Sequence, residues 1–132
     1  EVGKPGFTLK EDEIEYGVGI HSEPGYRREK IKPSKDLVEE LVGKLNDEMH
    51  LDSNKKYACL VNGMGATPLM EQFIFANDVL NKLEEFNIKP SFMKVGNYMT
   101  SLDMAGISLT LFEIKDDKWL DYLNFPVETI AW

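Results

Sequence analysis

The chain has 132 residues, enough for one compact domain with its own core and too few for a second independent one. Apolar residues make up 42% and charged residues 29% of it, which argues against a disordered chain. A formal net charge of -8, with no run of Lys and Arg longer than a pair, argues against direct contact with nucleic acid, and no stretch approaches the ~18 consecutive apolar residues of a membrane-spanning helix.

The chain opens at Glu1 with neither a methionine nor a basic-then-apolar signal pattern, and reads as a cut in a longer protein. Gly3, Pro5 and Gly6 predict an irregular entry, with a short edge strand at Phe7-Thr8-Leu9. From Glu13 to Ile20 apolar and polar or glycine positions alternate, which predicts a strand with Ile14, Tyr16, Val18 and Ile20 on one face and His21 at its carboxyl end. Pro24 to Pro33 reads as a basic, turn-rich connection.

A helix follows, with Ser34 as its N-cap and an apolar stripe of Leu37, Val38, Leu41, Val42, Leu45 and Met49. Asp52 to Lys56 is a turn, and Tyr57 to Val61 a buried strand. Cys59, the sole cysteine, lies in that strand; it has no partner for an intrachain disulfide and points to a reducing compartment, the cytoplasm. Asn62-Gly63-Met64-Gly65-Ala66-Thr67 is a second glycine-containing turn before a helix, with Thr67 as cap and Pro68 in the first helical position. That helix is expected from about Pro68 to Phe86, facing the core with Leu69, Phe73, Ala76, Leu80 and Leu83.

Ser91 to Val95 predicts a further strand, residues 96–106 a polar loop, Ile107 to Ile114 the clearest strand of the chain, and Asp116 to Leu123 a short helix before an extended tail. Strands alternating with helices predict an α/β domain. Its expected form is two layers, a mixed sheet of about five or six strands covered by helices on one face.

The most distinctive chemistry lies in Gly17-Val18-Gly19-Ile20-His21-Ser22-Glu23-Pro24-Gly25, where one imidazole sits between glycine-rich turns. An imidazole serves as general acid or base, metal ligand or nucleophile, or it fills a corner against a backbone carbonyl. Metal binding is the weakest of these, because the other histidine, His50, falls at a helix end and no ligand spacing recurs near His21. Glu23 either orients the ring or pairs with Arg27 or Arg28. No Gly-x-Ser-x-Gly elbow occurs, and the turn at Asn62–Thr67 lacks the lysine of a phosphate loop. Tyr98, Thr100, Ser101 and Asp103 read as turn and cap residues.

Three ordered stretches together, Gly17 to Gly25, Val61-Asn62-Gly63-Met64-Gly65-Ala66-Thr67-Pro68-Leu69-Met70-Glu71, and Tyr98 to Leu111, resemble the carboxy-terminal half of the substrate-binding subunit of dihydroxyacetone kinase. The resemblance runs from Phe7 to the closing Pro126–Trp132. It implies that His21 binds the ketone carbon of dihydroxyacetone, or of a similar small ketose or aldose, as a hemiaminal, with Gly19, Ser22 and Glu23 supporting the loop. Ser22 stands where the family usually has glycine.

It further implies that residues 1–132 form a carboxy-terminal substrate-binding domain. An amino-terminal domain outside this chain supplies the acid/base pair, and a separate kinase subunit carries the nucleotide. On that reading the domain holds no metal or cofactor, the subunit is a homodimer, and this polypeptide alone has no turnover. The ending at Trp132 matches the bacterial type that takes phosphate from phosphoenolpyruvate through the phosphotransferase system. The alternative is a non-catalytic paralogue, a transcriptional coactivator that senses dihydroxyacetone.

Overall fold

Strand β1 covers Glu13–Tyr16, shorter than the stretch to Ile20 that its alternation predicts. Gly17 ends it with φ 73°, a left-handed conformation that glycine adopts without a Cβ penalty and that interrupts the pleat. Strand β2, Arg27–Lys30, replaces the expected turn-rich connection and pairs antiparallel with β1. Its four side chains are all charged, so no apolar alternation betrays it. The cross-strand pairs Glu13 with Lys30 and Glu15 with Arg28 supply opposite charges instead. Phe7 to Leu9 form no strand.

The computed structural model describes residues 7–19, 23–102 and 104–132 and divides the chain into two units, Glu1–Pro33 and Ser34–Trp132. The first contains the β1–β2 hairpin. The second, the body, contains a three-stranded sheet of order β4-β3-β5, with β3 at Lys56–Gly63, β4 at Phe92–Gly96 and β5 at Ile107–Ile114. Strand β3 runs parallel to β4 and antiparallel to β5, so the sheet is mixed, as expected. Among the described residues five strands are shared between two sheets.

Helix α1, Ser34–Met49, buries Val38 and Val42 and lays Leu37, Leu41, Leu45 and Met49 against the core. The predicted stripe is therefore the observed one. Ser34 does not cap it, since its hydroxyl is buried without a hydrogen-bond partner among the described residues. At the other end His50 adopts φ 51° and donates its N–H to the Asn46 carbonyl at 2.8 Å, closing the helix.

Helix α2, Leu69–Glu85, buries Ala76 and Leu83 as expected but turns a face inward that is rotated from the rest of the expected one. Gln72, Phe75, Ala76, Val79 and Leu83 are buried, while Leu69, Phe73 and Leu80 are exposed. Both stripes have helical spacing, and Gln72 makes the observed one look polar. Its amide nitrogen is satisfied inside, donating to the Thr67 carbonyl at 2.8 Å and to Asn97 Oδ1 at 2.7 Å, which offsets part of the cost of burying a polar residue; its Oε1 is buried without a hydrogen-bond partner among the described residues.

The core lies between α1, α2 and one face of the sheet, joining Val38, Val42, Phe75, Val79 and Leu83 to Tyr57, Cys59, Val61 and Leu111. Burial of each such aliphatic side chain contributes roughly 1.5–3 kcal/mol. On the opposite face Phe92, Ala58 and Phe112 stand in one row. Trp119 of helix α3, Lys118–Leu123, stacks on Phe112, and Trp132 of the tail stacks on Phe92.

Candidate functional site

The candidate loop leaves β1 at Gly17 and returns at β2, and its two ends are fixed by backbone bonds. Tyr26 N–H donates to the Tyr16 carbonyl at 2.9 Å at its base, and Gly19 N–H donates to the Glu23 carbonyl at 3.0 Å further out. His21 and Ser22 lie outside the described residues, between the partners of the second bond in sequence. Gly19 and Glu23, also expected at the site, are brought together. A Cβ on Gly19 would strike the Glu23 carboxylate, and one on Gly25 would strike the Tyr16 carbonyl. At Gly25 the obstacle is backbone and excludes a side chain; at Gly19 the Glu23 side chain would have to shift.

Glu15 joins these segments and went unnoticed in the sequence. Its side chain is 4% exposed. Oε1 accepts the Gly25 N–H at 2.8 Å, and Oε2 accepts Arg28 Nε at 2.9 Å with Nη2 also at 2.9 Å. Arg27 pairs with Glu29 at 3.0 Å and covers the Tyr16 ring with its guanidinium 4.7 Å from the centroid. Lys32 beside Glu29, followed by the Tyr16 hydroxyl, holds the Glu29 carboxyl below the usual carboxylate range. One signal for the clamp was legible: an acid at an alternate position of a predicted strand, with two arginines following the loop.

The second glycine turn is built differently from a phosphate cradle. Two of its N–H groups are already engaged, Met64 with the Gly106 carbonyl at 2.9 Å and Ala66 with the Met104 carbonyl at 3.1 Å. Thr67 does not cap α2 as expected; its hydroxyl donates to the Gly106 carbonyl and accepts the Gly106 N–H, both at 2.9 Å. Pro68 takes the cap position. Asn62, 5% exposed, accepts the N–H groups of Tyr98 and Met99 at 2.8 Å each and donates to the Met99 carbonyl at 2.8 Å. These contacts tie residues 97–106 to the carboxyl end of β3. Asp103 lies outside the described residues.

Among the described residues no three His, Cys, Asp or Glu side chains gather as a metal site. Burial pushes the Cys59 thiol up to about 12, so it stays protonated and unreactive at neutral pH. No helix among the described residues is long and apolar enough to cross a membrane.

Residues 1–131 match the family model of the Dak1 domain. Over 132 residues the chain is 66% identical to the dihydroxyacetone-binding subunit DhaK of the PTS-dependent dihydroxyacetone kinase of Lactococcus lactis subsp. lactis (strain IL1403), covering all of this chain and 40% of that protein. It is 53% identical over 131 residues to the DhaKLM operon coactivator DhaQ of the same strain, covering 98% of this chain and 40% of the coactivator. The solved structure of a dihydroxyacetone kinase operon co-activator, Dha-DhaQ, superposes with a TM-score of 0.87 at 53% identity over 93% of this chain and 38% of that one. The chain thus spans about two-fifths of the length of these curated relatives. On the match across residues 1–131, it belongs to the Dak1 domain family.

Proposed function

We propose that this chain is the carboxy-terminal, substrate-holding domain of a dihydroxyacetone kinase subunit, and that His21 captures dihydroxyacetone as a hemiaminal. The neutral imidazole nitrogen adds to the ketone carbon, forming one N–C bond while the carbonyl π pair moves to oxygen. The ring N–H proton ends on that oxygen, nothing leaves, and the step is reversible. A polyol offers no carbonyl to attack, so the bond itself selects ketone or aldehyde. The terminal hydroxyl stays free to accept phosphate.

What carries this reading is the hairpin loop, fixed at Gly19–Glu23 and at Gly25, in a chain 66% identical to a protein named for binding dihydroxyacetone. Gly19, Ser22 and Glu23 support the loop. The remaining parts of the machine are an amino-terminal domain with the acid/base pair and a separate subunit carrying the nucleotide, with phosphate drawn from phosphoenolpyruvate. The subunit works as a cytoplasmic homodimer. The domain itself binds no metal or cofactor, and the 132-residue chain alone does not turn over.

A second reading has its own support, the 53% identity to the coactivator DhaQ. It keeps capture by His21 and replaces phosphoryl transfer with binding to a transcriptional regulator. A full-length subunit containing this chain, exposed to dihydroxyacetone and examined by native mass spectrometry beside His21→Ala, tests the shared step. The adduct is expected only with His21, and an adduct that survives the alanine refutes the assignment. Adding the nucleotide-carrying subunit and the phosphoryl donor separates the two readings: phosphorylated product supports the kinase, and capture without product supports the coactivator.

A further inference from the structure

We infer that Glu15 is the positioning residue of the substrate-capturing loop, an inference that rests on the capture by His21 proposed above. Glu15 lies inside β1, directly opposite Arg28 of β2, and its carboxylate is almost wholly withdrawn from solvent. Its two oxygens serve two different segments. One receives the N–H of Gly25, where the loop comes back; the other receives the Arg28 guanidinium, whose Nη1 reaches on to the Thr8 carbonyl at 3.4 Å.

Gly25 has only one way to present that N–H. It lies against the Tyr16 carbonyl so closely that no side chain fits, and Glu15 Cγ is the next atom a Cβ would meet, at 2.6 Å. The carboxylate therefore ties the returning loop to the departing strand, beside the backbone bond from Tyr26 to Tyr16. Two residues before Gly25, the bond from Gly19 to Glu23 closes the segment that contains His21. An acceptor at Glu15 fixes the described base of the loop at Gly25.

Addition of a ring nitrogen to a carbonyl depends on distance and approach angle, and displacement by about 1 Å can cost on the order of a hundredfold. Loss of the Glu15 carboxylate removes the acceptor for Gly25 and leaves Arg28 without its partner across the hairpin. The expected loss is smaller than that, since the Tyr26 to Tyr16 bond remains. Half-saturation by dihydroxyacetone is therefore expected to rise about tenfold in Glu15→Ala, the equivalent of one lost hydrogen bond to a charged group. Glu15→Gln keeps a carbonyl oxygen for Gly25 but offers Arg28 no charge, and its expected rise is about threefold.

The experiment titrates dihydroxyacetone against full-length wild type, Glu15→Ala, Glu15→Gln and His21→Ala, reading adduct occupancy by native mass spectrometry. Positioning predicts weaker half-saturation with full occupancy at saturation, and partial recovery in the glutamine variant. A purely structural role predicts the reverse, reduced maximal occupancy at unchanged half-saturation, and that result overturns the inference, as does an unchanged titration. Should Glu15→Ala fail to fold, the glutamine variant decides alone: a rise supports the role and an unchanged value removes it. Absence of adduct in wild type overturns the capture itself and the inference with it, whereas wild-type capture with unaltered variants overturns only the role of Glu15.

Discussion

In the hairpin unit Tyr16 is the one buried apolar residue among those described; Glu15 with Arg28 and Asp12 with Lys30 join the two strands, and Glu29 pairs with Arg27 and Lys32 along the β2 segment itself. In the body an unbroken apolar cluster runs from Val38 through Val61 and Val79 to Leu111. The first is specified by charge and close backbone approach, the second by volume. A loop whose geometry rests on ion pairs and glycines can be shaped for chemistry without disturbing a core, and it answers to pH and single polar substitutions. A core answers to cavities.

The largest expected effect tests the body side of that contrast. Leu83 is fully buried in α2, and Leu83→Ala should lower unfolding free energy by about 2–5 kcal/mol, the transfer term plus the cavity. Urea melts followed by backbone circular dichroism measure it. The hairpin counterpart is Gly25→Ala, which drives a methyl into the Tyr16 carbonyl and should act chiefly on the loop. An equal loss of global stability from both substitutions would erase the distinction.

Proton linkage sharpens the same comparison from two directions. In the hairpin, Glu29 is lowered by Lys32, Tyr16 and Arg27, and Glu13 first by the Lys10 backbone N–H. Their stabilisation is complete above the ordinary carboxyl value of 4.5 and is lost as pH falls through the lower folded values. In the body, Cys59 is raised from 9.0 to about 12 by burial. The unfolded thiol ionises first, so stability falls as pH rises from about 9 and levels off near 12. Amide exchange across a pH series should show the hairpin opening in acid, while the alkaline loss is reduced in Cys59→Ala. The turn carboxylate Asp52, lowered first by the Asn54 backbone N–H, adds an acid response within the body.

What the sequence revealed follows the same division. Strand β5 coincides with the predicted Ile107 to Ile114, and the α1 stripe is the predicted one, because apolar periodicity reports burial directly. Strand β2 left no such trace, since Arg27, Arg28, Glu29 and Lys30 pair through charge. The inner face of α2 is half legible, at Ala76 and Leu83, and the rest is hidden because the Gln72 amide N–H finds Asn97 only once the fold brings them together. At the loop, Gly17, Gly19 and Gly25 are legible as glycine-rich turns around His21, while the close backbone approach at Gly25 shows only in the fold. The carboxylate holding Gly25 belongs to Glu15, ten positions earlier, and that pairing exists only in the folded hairpin.

The smallest effect concerns a place where neither charge nor volume is at work. Gly43 lies inside α1, and a Cβ built there meets no atom within 4 Å. It costs the helix backbone entropy and returns no contact. Gly43→Ala should therefore raise unfolding free energy by about 0.5–1 kcal/mol, through the unfolded chain rather than through a new interaction. Because α1 belongs to the body, the gain should appear in the urea midpoint with the slope unchanged, and dihydroxyacetone half-saturation should stay at its wild-type value. A shifted half-saturation would mean that the loop feels the stability of α1, and the hairpin and the body would then have to be treated as one cooperative unit.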